Sequence, residues 1–381
     1  MAEKGLAAAI APHLHSEQTI KRGMTDVLIA LIPVVIWGII AFGINVLLII
    51  VISCLTAVVS EVVMRKILRR KITLRDWSAV LTGLLLALTL PPTVPWWVVV
   101  VGSVIAVAIA KELFGGLGRN IFNPALFARV VLLFSPFTIY TTKFVRPFWW
   151  KNGGFWTLAQ TRIDNSIGGR IVYASWGGSP INTLTTSATP LSLLKSGRML
   201  GTAVTGATPV GANFLTSTGK PTLYSMFLGF KAGAIGEVSV LALLLGGIYL
   251  VYRGTIDWRI PVGIIGTVFI LTWIGGSSPV YQMLGGGLFL GSFFMATDWV
   301  TSPVTRQGKW IYAVGIGVFI AIFRLVSALP EGVAISILYW NVITLLIDRY
   351  VARSHFGDAT RPVFNRLPKL AARPLPVKKE A

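Results

Sequence analysis

A threonine flanked by small residues and followed by proline occurs twice in one polar stretch of this chain. One copy is Thr186-Ser187-Ala188-Thr189-Pro190-Leu191, continued by Ser192-Leu193-Leu194-Lys195; the other is Thr205-Gly206-Ala207-Thr208-Pro209. Proline keeps the residue before it out of the helix, and small neighbours leave the hydroxyl accessible, as attachment of a group to that oxygen requires. An ordinary polar loop has the same composition, so the pattern alone leaves both readings open. A second segment, Gly115-Gly116-Leu117-Gly118-Arg119-Asn120-Ile121-Phe122-Asn123-Pro124-Ala125-Leu126, places glycines, amides and a proline between strongly apolar runs. Lipid cannot satisfy irregular backbone, which must be buried in protein or line a cavity. Asn120, Asn123 and Arg129 are therefore candidates to touch a polar ligand, and equally to stabilise the broken helix through their side chains.

Acidic residues in apolar segments are rare and functional by default. Glu61, Glu112, Glu237 and Asp298 sit in or beside such segments. Glu237, behind Gly236, and Asp298 are the candidates for ion coupling. Glu112 next to Lys111 reads as a local ion pair, and Glu61 as a partner of the nearby basic loop. His13, His15 and His355 have no metal-site spacing, and docking to a partner is the modest reading for them. Cys54, the single cysteine, excludes an internal disulfide and a cluster ligated by this chain alone. It reads as a small buried apolar residue. No metal-ligating or catalytic constellation emerges.

The elements that position these residues must lie in a membrane. Of 381 residues 54% are hydrophobic and 13% charged, about half the charged share of soluble domains. Mean hydropathy is +0.73. Ten candidate spans follow: Thr25–Phe42, Asn45–Met64, Ser78–Leu90, Pro95–Leu113, Ala125–Tyr140, Gly233–Tyr252, Trp258–Gly275, Gln282–Thr297, Lys309–Ser327 and Gly332–Ile347. The third is short and stops at Pro91-Pro92; the eighth is short and carries Gly285-Gly286-Gly287. No cleavable signal precedes the first run. A formal charge of +20 suggests nucleic acid in a soluble protein, but no basic stripe interleaved with aromatics is present, so nucleic-acid binding is excluded.

Lys and Arg concentrate in one set of loops (Arg65 to Arg75, Lys111, Arg119, Arg253, Arg259, Arg306, Lys309 and the tail), while short loops around Gly43, Pro92, Ser278 and Pro330 have none. This places both termini in the cytoplasm. Leu86–Thr93 resembles Met295–Thr305, an offset of about two hundred residues. Five spans per copy force an inverted repeat, with its site expected at the repeat interface. The expected fold is thus an all-α polytopic membrane protein of about ten transmembrane helices in two inverted five-helix repeats, urea-transporter-like, with a long extracytoplasmic loop. Residues 1–140 form the N-terminal repeat, 141–222 the outer loop, 223–350 the C-terminal repeat and 351–381 a basic cytoplasmic tail.

At the threonine segments the chain resembles the RnfD subunit of the Rnf electron-transport complex, and more distantly the NqrB subunit of the sodium-pumping NADH:quinone oxidoreductase. The resemblance rests on Pro12-His13-Leu14-His15-Ser16, the Gly115–Leu126 motif, the Thr186–Leu191 segment, Gly236-Glu237 with Leu243–Tyr249, and Trp258-Arg259-Ile260-Pro261. It implies FMN joined through its phosphate to a threonine, Thr189 by the trailing Pro-Leu and Leu-Leu-Lys, with Thr208 as the alternative. It departs from the family at Thr183 and Thr202, where the flavin-transfer signature often has an acidic residue. A second, non-covalent flavin, riboflavin, is implied inside the membrane part, with Asn120, Asn123 and Arg129 as its candidate contacts.

The implied function is an electron relay between ferredoxin and NAD modules coupled to Na⁺ or H⁺ movement in a bacterial or archaeal inner membrane. This chain would not be catalytic alone; its partners are membrane lipid and other Rnf subunits, including the outer-face flavin subunit RnfG and cluster-bearing subunits. Ferredoxin and NAD would be reached only indirectly. The alternatives are an NqrB-like quinone reductase subunit and a urea-channel-like facilitator without cofactor. Fold alone does not choose among them.

Overall fold

The computed structural model describes residues 19–70, 76–145, 147–148, 156, 158–164, 170–175, 189–191, 222–327 and 332–351. Helices α1 (Ile20–Phe42), α2 (Asn45–Ile67) and α3 (Ser78–Thr89) come first. Next is α4 (Trp96–Val104), which runs on as a π-helix over Ile105–Glu112. α5 (Pro124–Leu133) and α6 (Thr138–Thr141) complete the first group. The second group is α7 (Leu223–Leu228), α8 (Val240–Tyr252), α9 (Arg259–Ile274), α10 (Pro279–Leu284), α11 (Leu288–Leu290) with a π turn over Gly291–Met295, α12 (Arg306–Leu325) and α13 (Gly332–Val351).

Four helices (α1, α2, α12 and α13) are long and apolar enough to cross a bilayer. Large apolar side chains such as Ile32, Ile36, Leu55, Val59, Leu245 and Leu345 point outward, leaving a lipid-compatible surface around the bundle. This is a multi-pass membrane protein.

Helices in lipid gain little from hydrophobic contact with each other, so they associate through close backbone approach at small residues. A Cβ added at Gly83 of α3 would lie 2.8 Å from the Cys54 Cα and the Ser53 carbonyl oxygen of α2. Ser53 Oγ donates to the Gly83 carbonyl at 2.7 Å, sealing that crossing. Gly246 of α8 meets Ala30 of α1 in the same way, and Gly263 and Gly317 serve the α9–α12 pair.

Several expected spans are interrupted. The run expected over Ala125–Tyr140 stops at Leu133 and resumes as α6, with Ser135-Pro136 between. The run expected from Gly233 becomes helical only at Val240, where Ser239 Oγ caps α8 by accepting from the Ala242 N–H at 3.2 Å. The preceding backbone is used elsewhere: Ile235 N donates to the Leu90 carbonyl at 3.1 Å and Gly236 N to Leu88 at 2.7 Å. The eighth expected span, Gln282–Thr297, is broken by Gly285–Gly287 into α10 and α11. A Cβ at Gly236 would sit 2.8 Å from Leu88 Cβ and 3.1 Å from Leu290 Cδ2, so the ends of α3 and α11 converge on this glycine.

The all-α expectation needs one correction. Ala159–Asp164 (β1) and Arg170–Ser175 (β2) form an antiparallel hairpin, with Ala159 opposite Ser175 and Asp164 opposite Arg170. β-Branched and aromatic residues (Thr161, Ile163, Ile171, Val172 and Tyr173) favour extended backbone here. Asn45, buried at the start of α2, donates to the Ala159 carbonyl at 2.8 Å and to the Pro92 carbonyl, tying this hairpin to the bundle.

Candidate cofactor cavities between the broken helices

Asn123 is the N-cap of α5: its Oδ1 accepts from the N–H groups of Ala125 at 3.1 Å and Leu126 at 3.4 Å, and Pro124 opens the helix. Its Nδ2 donates to the Met295 carbonyl at 3.2 Å, across to the π turn that follows α11. One broken span thereby braces another, and a cavity opens on either side of the brace. The structural reading of Asn123 is satisfied in full by these bonds.

The first cavity is lined by Asn120, Asn123, Lys111, Phe293, Phe294 and Asp298, among others. Asn120 Nδ2 donates to the Phe122 carbonyl at 3.0 Å, but its buried Oδ1 has no hydrogen-bond partner among the described residues. An orphaned buried acceptor costs free energy unless a ligand donor reaches it. Asp298 accepts from Val300 N–H at 3.4 Å and Thr301 Oγ1 at 3.4 Å.

Lys111 enters this cavity from the π-helix, a local distortion frequent at functional sites. Its Nζ is 2.9 Å from Glu61 Oε2 and 2.7 Å from Ser78 Oγ. Arg65 lies 2.6 Å from Glu61 and 3.2 Å from Glu112. Arg70 donates to the Glu112 carbonyl at 3.0 Å. The local Lys111–Glu112 pairing expected from adjacency is thus replaced by a crossed network, with Lys111 on Glu61 and Arg65 bridging both carboxylates. Lys111 is a buried bundle residue and not a loop cation.

The second cavity includes Thr189, Leu191, Arg129, Lys231, Glu237 and Arg324 in its lining. Leu191 packs on the glycine break: Cβ atoms at Gly285 and Gly286 would lie 3.4 and 3.7 Å from its two methyls. Gly286 has φ +64°, which glycine adopts without strain, and its Cβ position is 3.3 Å from Arg324 Nη2. The glycines thus let Leu191 and the α12 guanidinium approach the same backbone. Arg324 donates through Nη2 to the Gly285 carbonyl at 3.0 Å and through Nη1 to Gln282, capping the C-terminus of α10. Lys231 donates to the Leu284 carbonyl of the same helix end, and Arg129 Nη1 to the Thr141 carbonyl at 3.1 Å.

The structure therefore divides the residues singled out in the sequence. Asn120, Asn123 and Asp298 line one cavity; Thr189, Arg129 and Glu237 line the other. Thr208 lies outside the described residues. Lys231 and Arg324 were not singled out, although a cation inside the apolar run Lys309–Ser327 was a signal of the kind used for the acids. Among the described residues no group of three or more His, Cys, Asp or Glu side chains suits a metal ion.

The chain is thus a multi-pass membrane protein with two cavities at breaks in its helices, divided by a π turn and a capped half-helix. Residues 7–357 match the NQR2, RnfD, RnfE family, and the chain belongs to that family. It is 39% identical over 358 residues to a subunit of the Na(+)-translocating ferredoxin:NAD(+) oxidoreductase complex of Acetobacterium woodii, covering 94% of this chain and 97% of that one. It is 40% identical over 357 residues to a subunit of the proton-translocating ferredoxin:NAD(+) oxidoreductase complex of Clostridium ljungdahlii (91% and 95% covered). To a subunit of the ion-translocating oxidoreductase complex of Stutzerimonas stutzeri it is 36% identical over 352 residues (90% and 94% covered).

Proposed function

We propose that this chain is the membrane flavoprotein subunit of an Rnf-type complex, relaying electrons between ferredoxin and NAD modules and coupling them to Na⁺ or H⁺ movement. Membership of the family and the names of its relatives support the subunit role, and favour ferredoxin over quinone as the partner type. Ten spans in two inverted five-helix repeats, both termini in the cytoplasm and an outer segment over 141–222, complete the arrangement. RnfG on the outer face and the cluster-bearing subunits are the partners with which electrons would be exchanged.

The observation that carries the proposal is the back-to-back placement of the two cavities. Pro124 and Phe294 line the first, Leu126 and Met295 the second, so the start of α5 and the π turn contribute to both linings. FMN attached at Thr189 fits the second cavity, whose cations suit a phosphodiester. Riboflavin fits the first, where the unpartnered Asn120 Oδ1 is an acceptor for a ring N–H and Phe293 and Phe294 offer apolar faces. Bound there, a flavin supplies one-electron chemistry; the chain supplies position and electrostatics. Glu237 in one lining and Asp298 in the other are the proposed ion-coupling carboxylates.

The native protein run on a denaturing gel is expected to fluoresce under ultraviolet light, and Thr189→Ala to abolish that band. A band that survives Thr189→Ala and disappears in Thr208→Ala moves the attachment to the second threonine; a dark native band defeats the flavin carrier reading. Non-covalent flavin released by acid is a separate readout. Asn120→Leu is expected to weaken its binding about tenfold, the effect of one lost buried hydrogen bond, and to leave the covalent band intact. Unchanged riboflavin content in Asn120→Leu removes the first cavity from consideration.

A further inference from the structure

The ionisable residues lining the second cavity are out of balance. Among the described residues, Arg129, Lys231 and Arg324 stand in its lining against the single carboxylate of Glu237. All three cations are deeply buried, at 4%, 4% and 2% exposure. Buried charge in excess of its counter-charge is costly, and helix-end carbonyls compensate it only in part. Arg324 uses both terminal nitrogens on α10 carbonyls, yet its buried Nε has no hydrogen-bond partner among the described residues. Lys231 binds the same helix end, so the two cations converge on one turn of backbone. Gly286 lies between Leu191 and Arg324 with no side chain to separate them, which brings the Thr189 segment to the guanidinium.

We infer that Arg324 and Lys231 form a preformed anion site that recognises the phosphate of a flavin nucleotide without any covalent bond, and holds that phosphate against Thr189. This deepens the proposed function and rests on it for the identity of the ligand. A phosphate ester fits the geometry because its several oxygens can accept from Arg324 Nε and from Lys231 at once while its ester oxygen faces a hydroxyl. Charge-assisted hydrogen bonds of this kind are about twice as strong as neutral ones. The site therefore discriminates FMN from riboflavin, which has the same ring and no phosphate. Arg129, already committed to the Thr141 carbonyl, adds charge to the same cavity.

The test uses the full chain carrying Thr189→Val, purified without attached flavin and presaturated with riboflavin so that the first cavity is filled. FMN added to this protein is expected to bind about ten- to a hundredfold more tightly than further riboflavin. Inorganic phosphate is expected to compete with it. Lys231→Met in the Thr189→Val background should erase the preference, while Lys231→Arg should retain most of it. Arg324→Gln should erase it too, but this variant also uncaps α10, so the phosphate competition in the parent keeps the inference testable if Arg324→Gln does not fold. Equal binding of FMN and riboflavin, or a preference that survives Lys231→Met, overturns the inference. Glycerol 3-phosphate binding as tightly as FMN also overturns it, by assigning the site to a lipid headgroup. A fluorescent band that persists in Thr189→Val made with the attachment machinery defeats the attachment reading alone, since the FMN preference is measured independently of it.

Discussion

Lys111→Met is expected to destabilise the protein by about 3–5 kcal/mol, the usual cost of removing one partner from a buried ion pair. Lys111 and Glu61 are 1% and 0% exposed, and the lysine ties Glu61 to Ser78. With the ammonium gone, Arg65 must serve the carboxylates of both Glu61 and Glu112, from which it stands 2.6 and 3.2 Å. A buried network balanced at two cations and two carboxylates becomes a net anion beside the first cavity. Methionine has the volume of the lysine stem, so packing is kept and the loss reports charge. The double variant Glu61→Gln/Lys111→Met should recover most of the stability, since it removes the stranded carboxylate. Thermal unfolding of the detergent-solubilised protein measures both. A melting temperature for Lys111→Met within error of the native chain, or a double variant worse than the single, contradicts the network reading.

This network also shows what sequence could and could not disclose. The apolar runs made the bundle legible, because lipid demands continuous hydrophobic stretches and helices satisfy their own backbone. Pro91-Pro92 and Gly285–Gly287 marked where helices stop, since each has a local steric cause. Lys111 was misplaced for an equally physical reason. A lysine at the end of an apolar run looks like an interfacial anchor, and only the packing of α2 and α3 around the π-helix buries it. The Gly233–Ser239 segment was read as helix because its composition is apolar; it turns over Ile235–Glu237 instead, and the Ile235 and Gly236 N–H groups go to the Leu90 and Leu88 carbonyls, a pairing that depends on a chain segment about 145 residues away. Asn120, Asn123 and Arg129 were grouped by proximity along the chain. The α5 N-cap separates them, turning the two amides to one cavity and the guanidinium to the other.

Thr189 was singled out for a different reason. Its neighbours in sequence bear the mark of an accessible hydroxyl, and Pro190-Leu191 also provides the anchor that places it. Leu191 is 2% exposed and packs on backbone that only glycine leaves uncovered. The glycine triplet and the threonine segment therefore form one device, though some ninety-five residues separate them. Neither half is informative about the other without the fold.

Gly246→Ala is expected to cost about 3 kcal/mol, at the upper end of overpacking effects, because its new methyl has nowhere to go. The Cβ would stand 2.1 Å from the Ala30 carbonyl oxygen and 3.0 Å from Phe294 Cζ. The first of these is helix backbone, which cannot rotate aside, so α1 and α8 must part. Gly247 has a matching constraint, with its Cβ position 2.4 Å from Phe293 Cδ1, and both phenylalanines line the first cavity. The substitution should therefore lower stability and reduce non-covalent flavin together. Gly266 of α9 is the control: nothing lies within 4 Å of its Cβ position, and alanine there should be neutral or stabilising by up to ~1 kcal/mol through helix propensity. Unfolding of the solubilised protein, with acid-released flavin counted on the same samples, reads both quantities. If Gly246→Ala and Gly266→Ala unfold alike, the α1–α8 crossing is not the close contact that holds the cavity wall, and small-residue packing loses its role in shaping the site.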